Sequence, residues 1–163
     1  YCLIYGGGNT KLGLTAGASK TSAARKGKEI RKRILDGLDG YKQLSEAIQE
    51  RAQATDTLRG LDGRPVRLQG KHHAALNYLL QSAGAILCKN WVVRANELAV
   101  EAGIDYYPVE FVHDQMSWSV APGDIEKALF CIESSIKDVE HQFKFKCPLA
   151  CDPQSGFTWA DVH

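Results

Sequence analysis

Two titratable side chains stand side by side where turn chemistry asks for neither. In YYPVEFVHDQMSWSV, residues 106–120, Val109, Phe111 and Val112 run into a polar break at His113-Asp114-Gln115. Met116, Trp118 and Val120 then alternate with Ser117 and Ser119. The pattern predicts a strand, a tight turn and a second strand. Hairpins usually turn on Asn-Gly, Asp-Gly or Gly-X, so a His-Asp tip departs from what folding alone prefers. An aspartate at the tip of a rigid hairpin can ligate Mg²⁺ with both carboxylate oxygens facing outward, a geometry suited to phosphoryl transfer more than to acyl transfer. In isolation the pair is ordinary, because Asp is a common turn residue.

A second set of polar groups sits in an apolar setting. His73, Asn77 and Gln81 recur at i, i+4 and i+8 in HHAALNYLLQSAGAILCKNWVVRANELAVEAG. The spacing predicts one stripe of neutral hydrogen-bonding groups on a long helix from about His73 to Ala102, closed by Gly103. Leu76, Leu79, Leu80, Ala83, Ile86, Leu87, Val92 and Val93 nearly surround that helix, which predicts a central, buried element. Left dry, each polar group of the stripe costs about 1–3 kcal/mol, so the stripe needs partners. Two readings fit: an internal hydrogen-bond network, or a surface that meets base edges in a nucleic-acid minor groove.

The remaining elements position these groups. YCLIYGGG spaces Tyr1 and Tyr5 at i and i+4 before three glycines and reads as the end of a helix, which implies that the chain is the C-terminal piece of something longer. Neither GxGxxG nor GxxxxGK[ST] is present, so the glycines are not read as a phosphate loop. Residues 10–20 are punctuated by Gly and Ala. A helix is expected from Ser19 or Thr21 to Gly37–Gly40 with Ile30, Ile34 and Leu38 buried. A second, from Tyr41 to about Ala54, places Leu44, Ile48 and the stem of Arg51 on one face and could pair with the first in antiparallel fashion. Asp62-Gly63 marks a hairpin turn before Val66 and Leu68, decorated by Arg59, Arg64, Arg67 and Lys71. A helix from about Asp124 to Phe143 follows the central hairpin and packs on the back of its sheet. The tail reads as a short strand and irregular loops.

Composition bounds the classes. The chain has 163 residues and 44% hydrophobic content, enough for a packed core. The apolar-leaning region 74–93 is interrupted by Asn77, Gln81, Lys89 and Asn90 and fails as a membrane span. No secretion signal is visible at YCLIYGGG, and five scattered cysteines without CxxC spacing (Cys2, Cys88, Cys131, Cys147, Cys151) fit reduced thiols in a cytosol. Net charge is +1, but it is lopsided: residues 1–33 carry eight basic side chains against one acidic, a net of +7, and the remainder carries −6. Such a basic end favours contact with a polyanion.

Three stretches together resemble the polymerase I-like, family A DNA polymerases. Tyr1 to Gly6 resembles the end of the fingers helix, HHAALNYLLQSAGA a buried palm helix, and FVHDQ the metal-binding hairpin usually written His-Asp-Glu; the Trp-Ala-x-x-His tail is most similar to the replicative enzymes of short-tailed bacteriophages. The resemblance covers essentially the whole chain. It implies an α+β fold, the C-terminal part of an antiparallel palm sheet packed against long helices, with residues 1–57 the end of the fingers and 58–163 the palm. It implies an enzyme of DNA replication in the cytoplasm, of the host cell if phage-encoded, and Asp114 as one of two carboxylates on a catalytic Mg²⁺ pair, with His113 supporting the primer end. Tyr1 and Tyr5 would face the incoming nucleotide, and His73, Asn77, Gln81 and Arg64 the primer-template. His163 would bring its terminal carboxylate near the metals. Gln115 stands where the family has glutamate. The expected partners are primer-template DNA, dNTP, a processivity factor and an upstream polymerase fragment that supplies the second aspartate and the triphosphate-binding Lys and Arg. The alternative is a non-catalytic DNA-binding or interaction remnant of a split polymerase.

Overall fold

The computed structural model describes residues 2, 3 and 5–162; Tyr1 and His163 lie outside the described residues. The fold is α+β, with five helices and two separate antiparallel hairpins among those residues. Cα packing divides the chain into two compact units, residues 1–83 and 84–163.

The first unit holds α1 (Asn9–Thr15), α2 (Ala23–Gly37), α3 (Tyr41–Thr55), the strands β1 (Thr57–Arg59) and β2 (Pro65–Arg67), and the first turns of α4 (Ala75–Glu101). The segment expected to be merely Gly- and Ala-punctuated contains α1. Its partner is α2, and the crossing is made by small residues. A Cβ on Gly13 would overlap the Ala23 carbonyl, and one on Gly27 the carbonyl of Asn9. The predicted Ile30, Ile34 and Leu38 stripe is therefore displaced: Ala23 and Gly27 are buried, Ile30 and Ile34 are half-buried, and Leu38 is exposed. The expected α2–α3 pair is also corrected, since α2 packs chiefly on α1 and touches α3 only slightly. Close backbone approach carries no hydrophobic period, which is why the sequence pattern pointed elsewhere.

On α3 the buried residues are Ile48 and Ala52, while Leu44 and Arg51 are exposed. Ile48 and Ala52 meet Leu58, Leu68 and Ala75 in the core of this unit. Asp56 closes α3 in the left-handed region at φ 51°. Its carboxylate accepts from the Gly70 amide and the His72 ring, each at 2.8 Å, and these bonds hold its pKa below the ordinary value. In the β1–β2 hairpin Leu58 lies opposite Val66, and the loop between the strands contains the expected Asp62-Gly63, with Gly63 at φ 85°.

The second unit contains the remainder of α4, the hairpin β3 (Tyr106–Val112) and β4 (Gln115–Val120), and α5 (Ile125–Phe143). Ala99, Ile104, Ala128 and Cys131 form one buried cluster against Tyr106, Trp118 and Val120. Trp91, Ile136 and Val139 form another, joined by Met116 and Leu87. The α4 helix is not buried all round: Ala75, Trp91, Ala95 and Ala99 are covered, whereas Leu80, Val93 and Val100 are exposed. The tail contains no strand among the described residues; it is irregular until a 3-10 turn at Trp159–Val162. It is pinned where the Leu149 amide donates to Glu140 at 2.6 Å. All five cysteines are unpaired, and no described helix is long and apolar enough to cross a membrane.

Candidate catalytic hairpin and nucleic-acid face

The β3–β4 register pairs Val112 with Gln115, leaving His113 and Asp114 as a two-residue turn. His113 takes φ 56°, and Asp114 is not among the residues with positive φ. Tight hairpin turns normally give a positive-φ position to glycine or asparagine. A histidine in that position is held by the packing below it. Met116 joins one cluster, while Trp118 packs against Tyr106 with ring centroids 4.6 Å apart and planes tilted by 44°, and the Tyr106 hydroxyl donates to Asn96 Oδ1 at 2.8 Å. The β-bulge between Pro108 and Glu110 adds local twist to β3. His113 and Asp114 are both exposed at the tip.

The Asp114 charge is felt on α4. Burial pushes the Cys88 thiol pKa up, and the Asp114 carboxylate adds to the shift. No group of three or more His, Cys, Asp or Glu side chains that could hold a metal is found among the described residues. Asp114 can supply one carboxylate to a divalent cation, but the described residues do not make a complete site.

The predicted stripe lies in the first unit. His73 belongs to the 3-10 turn His72–Ala74 just before α4 and is exposed; Asn77 is half-buried and Gln81 exposed. No hydrogen bond joins the three side chains to one another among the described residues. Gln81 Nε2 instead donates to the Tyr5 hydroxyl at 2.9 Å, and Asn77 Oδ1 is buried without a hydrogen-bond partner among the described residues. Tyr5 itself sits in a turn closed by Gly6 N to Leu3 O at 3.1 Å and Gly7 N to Cys2 O at 2.8 Å, with Gly6 at φ 74°. These are the bonds of a Schellman cap, in agreement with the reading of a helix end. Arg64 is exposed in the β1–β2 loop, and its Nε pairs with Asp62 at 2.5 Å.

Sequence reasoning missed two residues. Glu110 is half-buried and accepts from Ser117 Oγ at 3.3 Å and from the Trp159 indole at 3.2 Å, tying the tail to the hairpin. Arg31 is half-buried, with Nε on Asn9 Oδ1 at 2.7 Å and a terminal nitrogen on the Gly7 carbonyl. Neither stands out by spacing, since Glu110 reads as one more strand residue and Arg31 as one cation in a basic run.

The model of DNA polymerase family A matches residues 1–161, from the Tyr5 turn through the His-Asp hairpin to the tail. The chain belongs to DNA polymerase family A. Across its whole length this family A chain is 30% identical to the DNA-directed DNA polymerases of Enterobacteria phage T3 and Escherichia phage T7, and it spans 25% of each. It is 32% identical to that of Escherichia phage Phieco32, of which it spans 27%. The chain thus covers about a quarter of the curated relatives it matches. Among solved structures, the POL domain of Pol1 from M. smegmatis, in complex with DNA primer-template and dNTP, aligns at a TM-score of 0.74 over 85% of this chain and 26% of that one. At 18% identity this likeness bears on the fold alone.

Proposed function

We propose that this chain carries part of the machinery of template-directed DNA synthesis. The observation that supports this most directly is the two-residue His113-Asp114 turn, which holds an exposed carboxylate on a packed hairpin in a chain of this family. In this reading residues 1–57 are the end of the fingers and residues 58–163 the palm. Asp114 is one ligand of a two-Mg²⁺ site, and His113 a neighbour of the primer end. Tyr1 and Tyr5 face the incoming dNTP; His73, Asn77, Gln81 and Arg64 grip the primer-template. The second metal carboxylate and the cationic groups on the triphosphate come from an upstream part of the polymerase outside this chain, and Gln115 leaves the site one carboxylate poorer than the family pattern.

The deciding experiment is primer extension with Mg²⁺ and dNTPs, comparing this chain, the upstream polymerase part and the two together. Extension by the combination, lost on Asp114→Ala while DNA binding persists, is the expected result. Extension indifferent to Asp114 would remove the metal-ligand assignment and leave a DNA-binding role.

A further inference from the structure

The tail passes from one face of the β3–β4 hairpin to the other. Met116 and Trp118 point back into clusters built with α4 and α5. Strand alternation puts Ser117, which lies between them, and its partner Glu110 on the opposite, front face. Leu149 and Cys151 belong to the back, packed against Trp91, Ile136 and Val139. Trp159 belongs to the front, where its indole Nε1 donates to Glu110 Oε1 at 3.2 Å. The tail is thus a strap round the hairpin, and Glu110 fastens its far end.

That end is braced in itself. Asp161 accepts from the Thr158 amide at 2.7 Å and from the Thr158 hydroxyl at 2.9 Å, and a Cβ on Gly156 would lie 2.4 Å from that of Asp161. A turn so closely knit moves as one body, so a tether on its tryptophan sets where all of it sits. Burial does not hold it there, since Trp159 is 62% exposed. The acceptor is a carboxylate, and hydrogen bonds to an ionised acceptor are about twice as strong as neutral ones. Ser117 Oγ donates to the same oxygen at 3.3 Å and steadies it on the sheet.

Glu110 precedes the His113-Asp114 turn on the same strand. At a rise of about 3.3 Å per residue the fastening point is roughly 10 Å from the tip. We propose that Glu110 is a positioning residue for nucleotide incorporation: by seating the tail end on the front face, it walls the approach to Asp114 and fixes where the primer 3′ end comes to rest. The proposal rests on the polymerase reading and adds to it a residue that acts through Trp159, touching neither metal nor substrate.

The test is single-turnover nucleotide incorporation by this chain combined with the upstream polymerase part. The variants are Glu110→Ala, Glu110→Gln, Trp159→Phe and the double variant of Glu110→Ala with Trp159→Phe, each checked for folding by circular dichroism. In parallel, the indole N–H signals in proton–nitrogen NMR of this chain report the tether, Trp159→Phe identifying the signal. The expected result is that Glu110→Ala and Trp159→Phe each slow the maximal rate about tenfold, the size expected of one charge-assisted hydrogen bond, with the primer-template Kd unchanged. The double variant should be no slower than either single one. Glu110→Gln, whose carbonyl still accepts, should restore most of the rate and leave the Trp159 signal in place, whereas Glu110→Ala moves it upfield. Full rate in Glu110→Ala with the indole signal moved would overturn the proposal, because the tether would be lost without consequence. Equal losses in Glu110→Gln and Glu110→Ala, with Trp159→Phe at full rate, would overturn it too, because the carboxylate would then act by its charge and not through the tail. Glu110→Gln and Trp159→Phe keep the shape of the side chains and decide the matter if Glu110→Ala does not fold. Asp114→Ala, measured alongside, separates the two levels. Extension that survives it removes the polymerase site and this proposal with it; extension abolished by it but indifferent to Glu110 removes the positioning role alone.

Discussion

The chain contains two hairpins built to opposite priorities. The β1–β2 loop contains Asp62-Gly63, with glycine at φ 85°, and its aspartate is consumed locally: Asp62 accepts from the Arg64 amide at 3.1 Å and from its guanidinium at 2.5 Å. The β3–β4 hairpin turns on His113-Asp114, puts a histidine at φ 56°, and leaves the carboxylate exposed with no hydrogen bond or ion pair among the described residues. A turn made for stability spends its polar groups on itself. The other accepts backbone strain on the order of 1 kcal/mol, offset by the packing under Trp118 and Met116, and keeps its carboxylate available.

The contrast can be tested from its largest effect downward. Asp114→Asn in the assembled polymerase should reduce single-turnover nucleotide incorporation by more than about a thousandfold, roughly 4 kcal/mol of barrier, with the Kd for primer-template changed less than about threefold. Asp62→Asn should leave incorporation unchanged; a comparable loss at both positions would erase the distinction. Trp118→Ala should cost about 3 kcal/mol in urea unfolding, since it removes the ring that carries the strained turn. Substituting glycine should then act in opposite senses at the two tips. His113→Gly should raise the unfolding free energy by up to about 1 kcal/mol while slowing incorporation, and Gly63→Ala should lower it by about 1 kcal/mol with no effect on incorporation.

The smallest effect is a pH dependence. Asp62 has its pKa lowered chiefly by the Arg64 side chain, and Asp56 chiefly by the Gly70 amide, both from an ordinary value of 3.8. For a depressed carboxylate the stabilisation is fully present above that value and is lost as pH falls through the lower folded-state pKa. Hydrogen-exchange protection in the β1–β2 hairpin, taken relative to the intrinsic exchange rate at each pH, should therefore fall only below about pH 4, and Asp62→Asn and Asp56→Asn should flatten that fall. Unchanged acid dependence in both variants would show that the loop aspartates do not hold the hairpin.

Much of this was legible in the sequence because it was written in period and punctuation. The alternation around Trp118, the Asp-Gly loop and the Gly103 stop all lie where their residue types placed them. The His-Asp tip was readable for the converse reason, as a place where turn chemistry was disobeyed. What escaped was contact without periodicity. The α1–α2 crossing is made by glycine and alanine, which carry no hydrophobic signal, and a cleft beside Arg31 gathers residues from α2, α3 and the start of α4 that only tertiary structure brings together. The exposure of Leu80, Val93 and Val100 on α4 was hidden as well, because a residue's apolarity says that it can be covered and not what covers it.

The glycine crossing also bears on how this protein tolerates change. At Gly13 and Gly27 any side chain meets backbone rather than a flexible neighbour, so no rotamer relieves the clash. A saturation library should find these two positions as unforgiving as Asp114. Their intolerance would come from lack of space, not from chemistry, and a map of sensitive sites would mark alongside Asp114 two residues whose role is the close approach of two helices.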